Sequence, residues 1–131
     1  MTRALLALIL AGLAAASCQA AAPREVGITL HYSHFAPTAI DVPRGVPVTF
    51  VLHNDDPIEH EWIIGDASVH ERHRTGTEPV HASIPTEVTV PALSTVRTTI
   101  TFDHAGELTY VCHLPGHEAY GMVGRVRVGG A

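Results

Sequence analysis

The sequence predicts an all-β fold, a single antiparallel sandwich of seven to eight short strands, and three observations carry that prediction. Its 131 residues suit one domain of ordinary size, with 46% hydrophobic residues available for a core. From Glu25 onward, short runs rich in Val, Ile and Thr recur between Pro, Gly, Asn and Asp, and helical periodicity is hard to find. Several runs alternate: Thr99 and Thr101 face one way, Ile100 and Phe102 the other. No internal repeat suggests a second domain.

The chain opens on an element outside that fold. After Arg3, Ala4 to Ala16 is an unbroken run of apolar and small residues. At helical rise it would reach about 20 Å, too short for a ~30 Å hydrocarbon core, so residues 1–22 read as an export signal and 23–131 as the folded domain. Ala15-Ala16-Ser17-Cys18 resembles a bacterial lipobox, with Ala15 in place of the usual Leu. Ordinary cleavage near Ala20 to Ala22, discarding Cys18, is the alternative. Either route places the domain in the periplasm or cell envelope, touching membrane only through a lipid anchor at Cys18. One cysteine, Cys112, then remains in an oxidising compartment. Without Arg3, seven Arg face thirteen acidic residues, a formal charge of −6. That charge and the lack of a basic cluster exclude nucleic acid as a partner.

The predicted strands follow in order: Val26–His31, Ala39–Val42, Val48–His53, His60–Ile64, Glu87–Val90, Val96–Phe102, Leu108–Cys112 and Val123–Val128. Pro43, Pro47, Pro57, Pro85 and Pro91 stand at their ends, where a missing ladder donor costs little. Between the fourth and fifth runs, Asp66 to Pro85 is polar and long for a hairpin, and carries His70, His73 and His81. It reads as a surface excursion with a helical turn around Ser68–Arg72. Asn54-Asp55-Asp56-Pro57 is turn-rich, and Asp55, Asp56, Glu59 and Glu61 read as a solvated acidic group.

The chemistry sits between the last two strands. Cys112, His117 and Met122 are separated by four residues each. Leu108, Tyr110 and Cys112 share one strand face, so the thiol points inward with the apolar set. Pro115-Gly116 turns the chain and can return an imidazole and a thioether towards the sulfur. Thiolate, imidazole and weak thioether suit copper: a trigonal His₂Cys site with a long axial Met is the blue-copper arrangement. The second His is best supplied by His60, which opens the strand His60-Glu61-Trp62-Ile63-Ile64; His53 is its rival.

At these residues the chain resembles the cupredoxin family of small blue copper proteins. Phe35-Ala36-Pro37, Ile40-Asp41-Val42-Pro43-Arg44-Gly45 and Val48-Thr49-Phe50 look like the family's second and third strands. Asn54 to His60 looks like the segment delivering the first ligand, and Ala105 to Cys112 like the strand leading to the ligand loop. The resemblance implies a Greek-key sandwich and one type 1 copper, with His60, Cys112 and His117 equatorial and Met122 axial. It implies electron transfer by Cu(II)/Cu(I) cycling with redox partner proteins of the cell envelope, through a His117 edge framed by Leu114, Pro115 and Ala119. A monomer is expected, with no enzyme activity. Glu61 stands where some relatives have Asn or Ser. If buried, its carboxylate would favour Cu(II) and lower the potential, and a Glu61→Gln variant should then raise it.

Ten histidines exceed what one such site needs, which keeps copper tolerance or delivery as the alternative function. His70 and His73 would share a helical face and could bind a second metal, although solvated loop histidines are the simpler reading. His113 should point away from Cys112, as surface or support for the site; His31, His34 and His104 belong on turns or exposed faces. A binuclear copper site needs two Cys in the ligand loop, and a multicopper oxidase needs several His-x-His pairs. Neither pattern is present.

Overall fold

A computed structural model describes residues 24–76 and 84–129. The expected export segment with Cys18, the expected domain boundary at 22/23 and His81 lie outside the described residues. Among the described residues, no helix is long and apolar enough to cross a membrane.

The chain forms β1 (Arg24–His31), β2 (His34–Ala36), β3 (Ala39–Pro43), β4 (Pro47–Asn54), β5 (His60–Gly65), α1 (Ala67–Thr75), β6 (Glu87–Val90), β7 (Thr95–Thr101), β8 (Gly106–Val111) and β9 (Val123–Gly129). A four-stranded sheet in the order β2-β1-β4-β7 faces a five-stranded sheet in the order β3-β9-β8-β5-β6. The all-β sandwich is therefore as expected. Each predicted strand is present, with no end shifted by more than two residues.

Three details differ. The sheets are mixed, because β1 runs parallel to β4 and β3 parallel to β9. β2 is an additional strand of only three residues. It follows a tight reversal in which Tyr32 and Ser33 both take positive φ, 50° and 54°. Such a turn suits a hairpin but is uncommon without glycine. The helical turn expected at Ser68–Arg72 is a nine-residue helix. Asp66 caps its start, accepting the N–H groups of Ser68 and Val69, and Gly76 at φ 70° closes its end.

The core follows from alternation. Val48, Phe50 and Leu52 of β4 point inward, against Trp62 and Ile64 of β5 and Val126 and Val128 of β9. Burying each such side chain contributes roughly 1.5–3 kcal/mol. Tyr110 is fully buried across from Gly124 in the β8–β9 register. A Cβ on Gly124 would lie 2.1 Å from Tyr110 Cζ, so only glycine leaves room for the ring. The Tyr110 hydroxyl donates to the Pro37 carbonyl at 2.6 Å, which ties the two halves of the chain together.

Register then sets up one end of the sandwich. β5 and β8 pair through Ile63↔Val111, and β8 and β9 through Val111↔Val123. One residue beyond these pairs stand Cys112 and Met122, and two and three residues back from Ile63 along β5 stand Glu61 and His60, at the same rim.

Candidate metal centre

His60 starts β5 and is completely buried, as are Cys112 and Met122. Cys112 Sγ lies 3.4 Å from His117 Nδ1 and 4.0 Å from His60 Nδ1, and the two Nδ1 atoms are 3.2 Å apart. Among the described residues this trio alone brings together three or more His, Cys or acidic ligand atoms within 4.8 Å of one another. The loop from Cys112 to Met122 is closed by its own backbone. Leu114 accepts from His117 N–H, His117 from Met122 N–H at 3.0 Å, and Met122 from Cys112 N–H at 3.2 Å. Gly116, at φ 86°, provides the turn, and Tyr120 covers it.

The sequence reading placed Asp56 in a solvated turn; the structure buries it. Its Oδ2 accepts from His60 Nε2 at 2.8 Å and Ser33 N–H at 2.8 Å, and its Oδ1 accepts Tyr32 N–H at 2.7 Å. Burial alone would push this carboxyl up, but the donors from Ser33, His60 and Tyr32 outweigh it and hold it below the ordinary Asp range. A carboxylate on Nε2 fixes the His60 hydrogen there and leaves Nδ1 as a lone pair aimed at Cys112 and His117. Asp56 also holds the positive-φ pair Tyr32–Ser33 in place. The spacing of four residues between Asp56 and His60 was the available sequence signal.

Asn54 was missed in the same way. Fully buried, its amide donates to the carbonyls of Ile58, Val90 and Pro91, and its oxygen accepts Asp56 N–H at 2.9 Å. It fixes the loop that delivers Asp56 and His60. The rival His53 is exposed and bonded to Thr95 and Asp55, away from the trio. Glu61 contributes its main chain: its N–H donates to Cys112 Sγ at 3.3 Å, tying the two segments together. The carboxylate touching the first imidazole is that of Asp56.

Burial pushes the Cys112 thiol up, partly offset by the N–H groups of Glu61 and Leu114, so a cation must displace its proton to bind. Burial, and then the neighbouring His60, lower the basicity of His117, which favours the neutral imidazole a metal needs. A buried sulfur and two converging imidazole nitrogens at these separations fit a soft-to-borderline cation about 2.0–2.3 Å from each. The donor set fits copper.

The other histidines divide. His31, His34 and His104 are exposed, as expected. His70 and His73 were read as solvated, and His113 as surface or support. Instead His70 is 2% exposed, and the His73 and His113 side chains are 1% and 5% exposed. α1 packs them against the strand end because Val69 fits over Gly65, where a Cβ would meet Val69 at 2.6 Å.

Comparison with known proteins gives a consistent result. A family model described as a cupredoxin-like domain matches residues 3–123. The chain is 30% identical to the copper-resistant cuproprotein CopI of Pseudomonas aeruginosa, over 83% of this chain and 78% of that protein. It is 37% identical to CopI of Rubrivivax gelatinosus over 72% of this chain, but spans only 59% of that relative's length. Among solved structures it is similar to auracyanin from Roseiflexus castenholzii, with a TM-score of 0.69 and 20% identity over 82% of this chain and 98% of that one. It is also similar to auracyanin A, a "blue" copper protein from Chloroflexus aurantiacus, with a TM-score of 0.66 and 25% identity over 82% and 100% of the two chains.

Proposed function

On the premise that this chain belongs to the cupredoxin-like family, we propose that it is an exported electron carrier holding one type 1 copper between His60, Cys112, His117 and Met122. The convergence of two Nδ1 atoms on the buried Cys112 sulfur is the observation that carries this reading. Copper, when bound, supplies one-electron exchange between Cu(II) and Cu(I). The protein's share is geometry. Asp56 presents the His60 lone pair, Glu61 N–H supports the thiolate, and complete burial of Cys112 and Met122 keeps water away. A site held at the end of three neighbouring strands, β5, β8 and β9, changes little between oxidation states, which favours fast transfer.

His117 is the half-buried member of the set, and Leu114, Pro115 and Ala119 beside it form the expected docking surface. Ile58 and Leu93, also exposed, lie on loops bonded to Asn54 and Asp56 at this end. A cell-envelope redox partner with a cationic face suits the negative chain. No substrate turnover is proposed, because four ligands leave no open metal position.

The test is an optical and spin-resonance spectrum of the copper-loaded chain. An intense thiolate-to-copper absorption that disappears in Cys112→Ser supports the proposal; a colourless wild type overturns it.

The CopI relatives favour a second reading, copper tolerance with redox cycling incidental. Deleting the gene separates the two. Copper sensitivity with unchanged respiratory electron flow favours tolerance, and the reverse favours the carrier.

A further inference from the structure

His113 follows Cys112 and points to the other side of the strand end, under α1. There His70 Nδ1 lies 2.9 Å from His113 Nε2, and the His73 ring stacks on His113 at 5.3 Å with 18° between planes. An acceptor lies near the outer nitrogen of each facing ring. His70 Nε2 meets the Thr109 carbonyl at 3.2 Å, and His113 Nδ1 faces Glu118 Oε2 at 3.4 Å. A carbonyl only accepts, so the His70 hydrogen sits on Nε2 and its Nδ1 presents a lone pair to His113. Only one hydrogen, carried by His113 Nε2, can link the two buried rings, and a cation can take its place between the same two nitrogens.

The surroundings hold this arrangement in place. Arg74 grips both oxygens of Glu118, at 3.1 and 3.0 Å from Nε and 2.6 Å from Nη2. His73 Nδ1 donates to the Val69 carbonyl at 2.8 Å, and its Nε2 lies 3.8 Å from Glu87 Oε2. Burial holds His70 below the ordinary His range, which disfavours a proton as the occupant.

We propose that His70 Nδ1 and His113 Nε2 are the two protein nitrogens of a second metal site for a borderline divalent cation, Cu(II) or Zn(II). Two nitrogens about 2.0 Å from one ion and about 90° apart lie ~2.9 Å from each other, which matches neighbouring positions of a tetragonal Cu(II) site and a compressed Zn(II) one. This centre shares no ligand atom with the first and stands without it. The two would lie back to back, one peptide unit apart.

The test loads the full chain with excess Cu(II), or in parallel Zn(II), strips weakly held metal on a chelating resin and measures metal per protein. Wild type should keep a second equivalent, which His70→Gln loses while its circular dichroism is unchanged. A wild type that keeps no more metal than His70→Gln overturns the proposal. So does a second equivalent that survives in His70→Gln, since exposed histidines would then hold it. Should His70→Gln unfold, imidazole ¹⁵N spectra of the wild type decide. His70 Nδ1 and His113 Nε2 should shift together on adding Zn(II), and shifts confined to His31, His34, His53 or His104 overturn the site. The retention of Cu(II) against Zn(II) identifies the preferred ion.

Discussion

Asp56 joins three backbone or side-chain donors from two parts of the chain, so its charge matters beyond its volume. In Asp56→Asn the shape stays, but the charge that orients His60 is gone. Copper affinity should fall about 10–100-fold, read by competition with a chelator of known strength. Asn54→Ala removes the partner of three carbonyls and one N–H in a buried loop. It should cost roughly 1–3 kcal/mol in urea unfolding. These two residues show where sequence reasoning stops. Cys112, His117 and Met122 could be picked out because they are close in sequence and chemically unusual as a set. Asp56 and Asn54 read as ordinary turn residues, because what makes them special is burial against Tyr32, Ser33, Val90 and Pro91. No local pattern records that.

The same limit appears one level up, in the elements. Strands announced by alternation were legible to within two residues, because period-two burial is written locally. The parallel pairings β1–β4 and β3–β9 were not, since they depend on which distant segment lies alongside. β2 is too short to show a period. In α1 the apolar signal is weak, and the informative residues are its two ends, Asp66 and Gly76. The hydroxyl and N–H of Ser68 with the N–H of Val69 hold Asp66 below its ordinary value. Its contribution to the helix is therefore fully present above the unfolded carboxyl value of about 3.9 and lost as pH falls through the lower folded one. Acid titration followed by hydrogen exchange should show α1 opening before the sheets, and Asp66→Ala should remove that pH dependence. Gly65→Ala would drive a methyl into Val69 and lift α1 from β5. A loss of about 1–3 kcal/mol in chemical unfolding is expected.

For the whole molecule, length and eight short runs were enough to indicate a sandwich, while the facing order of the two sheets needed coordinates. Metal and fold are linked at this scale, because the ligands come from both the β4–β5 approach and the β8–β9 connection. Free copper at a thousand times its dissociation constant should stabilise the chain by about 4.1 kcal/mol. Calorimetry should show the transition rising with copper in wild type and losing most of that rise in Cys112→Ser. The loop between Val111 and Val123 carries three of the four proposed ligands, yet the paired strands on either side complete their ladder without it. Variation by insertion, deletion or exchange of that one short stretch of gene could therefore rewrite the metal preference while leaving the frame intact. Heritable change in chemistry and heritable change in architecture are separable in this protein.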